Sequence, residues 1–180
     1  MRRNLQVWWG ADIQIQMVGQ SQRALLVEMY DGFEPLAASF GLPPPNPSRR
    51  QEWIGVALGH KLNFAAFSPD GKVVGHCFLV PDTPTSAELG VFVLQSFRCR
   101  GVGTSLVNAA LMWGGIAGLR RVWSLTSPDN LVALRLQLKC GFRITNPAAS
   151  EIALEIDLLS PSATGRNGSA HPAKHCLYSV

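Results

Sequence analysis

The four cysteines fall at no metal or redox spacing: Cys77, Cys99, Cys140 and Cys176 are too scattered for a zinc site or a CxxC couple. They read as buried or incidental thiols in a reducing compartment. Charge is scarce as well. Only 16% of the 180 residues are charged against 47% hydrophobic, and a mean hydropathy of +0.12 excludes a chain disordered over its length. At about 100–200 residues per domain, this is one domain with room for a core. The surplus positive charge, +4, comes from Arg2, Arg3, Arg166 and Lys174, because residues 12–158 carry 12 basic and 12 acidic side chains. No basic stripe with interleaved aromatics is present, so no nucleic-acid partner is expected. Arg2 and Arg3 are followed by no apolar signal region, so a cytoplasmic location is expected. The uncharged run from Gly101 to Leu119 approaches the length of a membrane-spanning helix, but it contains Thr104, Ser105, Asn108 and five glycines. A helix of that kind is expected in a globular core or at a subunit contact rather than in a bilayer, so no membrane partner is expected and a homodimer stays open. His60 and His76 have no second ligand at metal spacing; both read as structural, and no metal is expected.

What is present is an alternation of strand and helix patterns. Ile13–Val18 alternates polar and apolar as a half-buried strand does, and Ala24, Leu25, Met29 and Phe33 follow at near-helical spacing after Ser21. Leu42–Pro47 cannot continue a helix, and Ser48 is the expected cap of a second one carrying Trp53, Ile54, Ala57 and Leu58. Two strands, Asn63–Phe67 and Val73–Val80, flank Ser68-Pro69-Asp70-Gly71 and predict an antiparallel hairpin. A loop at Pro81–Ser86, a strand at Ala87–Val93, a helix at Gly103–Gly118 and a strand at Val122–Thr126 come next. That order makes the last two strands parallel neighbours. A helix from Asn130 to Cys140, capped by Asp129 or Ser127 and ended at Gly141, leads into strands Phe142–Thr145 and Ile152–Leu158. The expected organisation is an N-terminal extension over residues 1–11, a single α/β domain over 12–159 and a solvated tail over 160–180.

The segment with the most chemistry lies between a strand and a helix: Val93-Leu-Gln-Ser-Phe-Arg98-Cys99-Arg100-Gly101-Val102-Gly103-Thr104. A helix start offers unpaired N–H groups and a partial positive charge, and two glycines let phosphate oxygens approach the main chain. It is neither a P-loop, lacking Gly-Lys-Ser/Thr, nor a dinucleotide fingerprint, lacking the third glycine. Together with Asn130-Leu-Val-Ala133-Leu-Arg-Leu136-Gln137-Leu-Lys139-Cys-Gly141-Phe142, it resembles the two signature segments of the GNAT superfamily of acyl-CoA-dependent N-acetyltransferases. The resemblance runs from about Ile13 to Leu158 and implies a mixed, mostly antiparallel sheet with a splayed parallel strand pair, flanked by about four helices.

It also implies acetyl-CoA as co-substrate. Main-chain groups of Val91, Phe92 and Val93 would pair with the pantetheine arm, the amides of Arg98, Cys99, Arg100, Gly101, Val102, Gly103 and Thr104 would hold the pyrophosphate, and Asn130 would meet the cofactor from the last helix. The implied reaction is direct attack of a primary amine, on a small molecule or a protein lysine or N-terminus, in a ternary complex. The alternative is a GNAT-like acyl-CoA-binding module with little or no turnover. An amine must lose a proton to attack. Glu88 is the candidate base: it is the sole acid of its strand, shares a face with Gly90 and Phe92 by period two, and sits roughly 10 Å from Val91, which suits a bridging water. The chain departs from the family at Gln137, where many members carry a tyrosine that protonates the leaving thiolate. A carboxamide donates a hydrogen bond but no proton, so solvent is expected to complete that step.

Overall fold

The computed structural model describes residues 7–9, 13–34, 42–146 and 150–158, with the main chain alone described for the first three. Strand β1 (Val7–Trp9) pairs antiparallel with β2 (Ile13–Met17) and adds an edge strand within the stretch expected to precede the domain. Helix α1 (Arg23–Asp31) follows a single 3₁₀ turn over Gln20–Gln22, and α2 is Pro47–Gly59. The long hairpin β3 (Leu62–Phe67) and β4 (Val73–Thr83) leads directly into β5 (Ser86–Val93). Helix α3 is Val102–Ile116, β6 is Arg121–Thr126, α4 is Leu131–Lys139, β7 is Arg143–Asn146 and β8 is Ile152–Asp157. The strands form one sheet in the order β1-β2-β3-β4-β5-β6-β8-β7. Every pairing among the described residues is antiparallel except β5 with β6. This is the mixed, mostly antiparallel architecture expected from the sequence.

The two faces of the sheet carry separate cores. Both crossovers, β5-α3-β6 and β6-α4-β7, join parallel strands and step the same way across the sheet, so right-handedness puts α3 and α4 on one face. Leu106, Val107 and Ala110 of α3 pack there on Ala87, Leu89 and Val122. On the opposite face Leu26, Met29 and Tyr30 of α1 and Ile54, Ala57 and Leu58 of α2 cover Phe78 and Phe92. Gly90 lies under this second core, where a Cβ would come within 2.4 Å of the Phe78 ring. Only glycine lets that ring lie flat on the sheet.

Local details differ from the sequence reading at two helix caps and one loop: α4 is capped by Asn130 rather than by Asp129 or Ser127, because its Oδ1 accepts from Ala133 N. Asn46, not Ser48, caps α2: its Oδ1 accepts from Arg49 N at 3.0 Å, and Pro47 occupies the first helical position, where its missing N–H costs nothing. The expected loop at Pro81–Ser86 is mostly strand, with β4 reaching Thr83 and β5 beginning at Ser86. Proline is tolerated there because β3 ends its ladder at Leu62 opposite Leu79, leaving Pro81 a partner on the β5 side alone. Arg50, buried on α2, ties down the proline segment by donating to Pro44 O, Pro45 O and Asp31 Oδ1 at 2.9, 3.0 and 2.7 Å.

A buried polar chain crosses the second core. Tyr30 Oη donates to His76 Nδ1 at 2.8 Å, His76 Nε2–H donates to Asn63 Oδ1 at 3.1 Å, and Asn63 Nδ2 donates to the carbonyls of Ala57 and His60 at 2.9 and 2.8 Å. Because the Asn63 nitrogen serves two carbonyls, its oxygen must accept, which fixes the neutral imidazole tautomer. Burial holds His76 down at a pKa of about 3, so the histidine is a structural residue. The unfolded chain takes up a proton near pH 6.5 that the folded one refuses until about pH 3. Its contribution to stability is therefore complete above pH 6.5 and declines as pH falls, by at most about 1.4 kcal/mol per pH unit. Urea unfolding of wild type and His76→Gln across this window should show the variant losing that share of the slope.

Candidate active site

The parallel ladder between β5 and β6 is short. Ser86 pairs with Arg121, Ala87 with Val122 and Glu88 with Trp123, and there it stops. Beyond it Leu89–Val93 keep β4 as partner, Val91 opposite Cys77, Phe92 opposite His76 and Val93 opposite Gly75. Ser124–Thr126 of β6 keep β8. The strands thus diverge into a wedge whose apex is the Glu88–Trp123 pair and whose β5 wall is a main-chain edge unpaired on that side.

The apex carries the candidate chemistry. Glu88 shares its sheet face with Gly90 and Phe92, the face covered by α1 and α2, as period two implied. The pKa of its carboxyl is raised from the ordinary value, first by partial desolvation and then by the charge of nearby Asp82. Asp82 is held at the end of β4 by Trp123, whose indole N–H donates to Asp82 Oδ2 at 3.0 Å. That pair escaped the sequence reading. Only the register of β6 against β5 brings it beside Glu88, and local sequence carries no signal of register.

At the wide end of the wedge the chain turns into α3. Cys99 and Gly101 both have left-handed backbones, φ 57° and 82°, and no side chain caps the helix. The N–H groups of Val102, Gly103 and Thr104 lie in the first turn, where an α-helix supplies no acceptor of its own. Arg100 is exposed and lies over the Phe97 ring at 5.6 Å. Arg98 is used differently: its N–H donates to Gln95 O, and its guanidinium donates to Val93 O at 3.0 Å and Glu34 O at 2.6 Å while lying over Phe33. It fastens this loop to the end of α1. Cys99, Arg100, Gly101, Val102, Gly103 and Thr104 are brought together around the helix start, whereas the Arg98 side chain turns away.

Helix α4 closes the wedge from the α3 side. Asn130 caps it, with Oδ1 accepting from Ala133 N at 3.2 Å, and its amide nitrogen is left for another partner. Gln137 is buried and accepts a hydrogen bond from Ser124 Oγ of β6. The groups present suit an extended diphosphate-bearing acyl thioester: a strand edge for its amide-containing arm, a positive helix start with glycine for its phosphates, and a carboxylate at the apex. Among the described residues, no His, Cys, Asp and Glu groups could hold a metal, and no helix is long and apolar enough to cross a membrane.

Sheet order, splayed parallel pair and helix start together define a three-layer acetyltransferase-type fold. Residues 26–142 match the model of the acetyltransferase (GNAT) family, and the chain belongs to that family. Over 93 residues it is 36% identical to the aminoglycoside N(6′)-acetyltransferase type 1 of Salmonella typhimurium, a match spanning 52% of this chain and 62% of that protein. Among solved structures, the GNAT domain of S. lividans PAT superposes with a TM-score of 0.75 at 16% identity, covering 86% of this chain and 97% of that one. The yncA protein of Salmonella typhimurium, solved with its cofactor acetyl-CoA, superposes at 0.66 and 16% identity, covering 84% and 96%. At such identities these structural likenesses bear on fold alone.

Proposed function

We propose that this protein transfers the acetyl group of acetyl-CoA to a primary amine of a small molecule by direct attack in a ternary complex. The observation that carries the reading is the position of Glu88, at the one point where the β5–β6 ladder opens, on the face opposite α3 and α4. The cofactor would lie along Val91, Phe92 and Val93, with its pyrophosphate at the α3 start and its thioester toward the apex. The amine would approach from the α1–α2 face and give its proton to Glu88 through a water. The carbon–sulfur bond then breaks and CoA leaves as thiolate. The raised pKa of Glu88 brings the base closer to the proton affinity its task requires.

The substrate class is supported by the relative named above, which acts on an aminoglycoside amine. Acidic Asp82 and Glu88 beside an indole suit a cationic, hydroxyl-rich amine. A cytoplasmic setting belongs to the same reading, since it supplies acetyl-CoA and keeps the thiols reduced. The test is release of free CoA from acetyl-CoA against a panel of aminoglycosides, polyamines and lysine peptides. Turnover with an aminoglycoside supports the reading in full, turnover confined to a peptide moves the acceptor to protein, and CoA binding without turnover on any amine favours the binding-module alternative.

A further inference from the structure

The departure at position 137 has a structural counterpart that the sequence did not reveal. Ser124 is the first residue of β6 beyond the Glu88–Trp123 pair, so it stands beside the apex of the wedge. It alternates with Trp123 and Leu125 and therefore shares the face of Val122, the face covered by α3 and α4. Glu88 lies on the opposite face. Ser124 and Gln137 are 2% and 4% exposed, and the Ser124 hydroxyl donates to the Gln137 carboxamide oxygen.

Using the oxygen in this way leaves the carboxamide nitrogen, with two protons to donate and no partner among the described residues. No fully buried side-chain nitrogen or oxygen among them lacks a partner. The nitrogen is thus the part of Gln137 that is not sealed off, on a side chain tied to Ser124 beside the apex of the wedge. One exchangeable partner is missing from an otherwise satisfied, nearly buried pair.

We propose that Gln137, oriented by Ser124, donates a hydrogen bond from its carboxamide nitrogen to the sulfur of CoA and stabilises the thiolate as it departs. This rests on the acetyl-transfer reading above. When the amine nitrogen bonds to the carbonyl carbon, the carbon–sulfur bond breaks and its electron pair stays on sulfur, held by the Gln137 N–H. The amine proton goes to Glu88 on the other face, and the thiolate takes its own proton from solvent after release. Base and leaving-group donor act from opposite faces of the sheet, and neither has to exchange a proton with the other. Gln137 is then a catalytic residue, and Ser124 is a positioning residue acting through it.

The experiment uses the full chain with CoA and needs no amine. Ultraviolet titration of the thiolate in the enzyme–CoA complex should place the bound thiol about one pH unit or more below that of free CoA titrated alongside, as a hydrogen bond to the charged form requires. Gln137→Leu and Ser124→Ala should both return it to the value of free CoA or above, while Ser124→Thr, which keeps the hydroxyl, should retain the low value. Binding of desulfo-CoA should be equal in all four proteins. With an amine in hand, Gln137→Leu should lower kcat about ten- to a hundredfold at unchanged KM for acetyl-CoA.

A single variant that fails to fold is replaced by the double variant Ser124→Ala with Gln137→Leu, which leaves no buried polar group unpaired. A bound thiol that titrates normally in wild type overturns the proposal. A low value that persists in Ser124→Ala overturns the positioning role, and one that persists in Gln137→Leu overturns the donor. Failure of CoA and desulfo-CoA alike to bind wild type would instead overturn the acetyl-transfer reading on which this inference stands.

Discussion

Glu88→Gln should lower kcat by about 10²–10⁴ at neutral pH with acetyl-CoA affinity nearly unchanged. The substitution keeps the size and hydrogen bonding of the side chain and removes only its capacity to take a proton. Cofactor affinity should survive because Glu88 is the last residue paired with β6, while the β5 edge assigned to the cofactor begins after it. The pH profile separates this effect from general damage. Partial desolvation and Asp82 raise the Glu88 pKa, so wild-type activity is present above that pKa and is lost as pH falls through it. The variant should lose that acid limb while keeping the one due to protonation of the amine. Steady-state kinetics on an accepted amine make the measurement, and full activity in the variant would assign the base elsewhere.

Acetyl-CoA should raise the melting temperature of the wild-type protein, and Gly103→Glu should abolish the rise. A ligand bound only by the folded state stabilises it by RT ln(1 + [L]/Kd), about 2.7 kcal/mol at one hundred times Kd. Gly103 sits in the first turn of α3, and a carboxylate there would add negative charge at the helix start proposed for the phosphates. The same position touches α4: a Cβ at Gly103 would meet Leu136 Cδ2 at 3.0 Å. Gly103→Ala is therefore the necessary companion, since it tests the packing of the two helices without adding charge. A normal rise in Gly103→Ala and none in Gly103→Glu locates the phosphates at this helix start. An unchanged rise in Gly103→Glu would remove the loop from the site.

Much of this architecture could be read from local pattern. The strand–helix–strand order from Ala87 to Thr126 carried the parallel pair, and Ser68-Pro69-Asp70-Gly71 marked the hairpin where Gly71 does take a positive φ. Period two put Glu88 on the face of Gly90 and Phe92. What local pattern could not carry was anything set by register across the sheet. Pro81 reads as a breaker until it is known that β3 has already ended beside it. Asn46 and Ser48 are both sound caps in isolation, and the choice turns on Pro47 entering the helix as its first residue. Trp123 with Asp82, and Ser124 with Gln137, are pairs separated by 41 and 13 residues. Neither spacing is a motif, because each depends on which strand lies beside which.

The wedge has one further consequence, for how mutational data on this protein should be interpreted. What β5 offers along its open edge is peptide groups, identical whatever side chains are attached, while Val91 and Val93 direct theirs into the core beneath α3. A saturation scan of these positions would mostly score packing and leave recognition almost unseen. Hydrophobic replacements of similar volume should look neutral there, even though the main chain at the same positions belongs to the proposed binding edge. Replacing an amide by an ester, or introducing a backbone that cannot donate, interrogates the edge itself. Silence in a side-chain scan along this strand therefore says nothing about whether the strand takes part in binding.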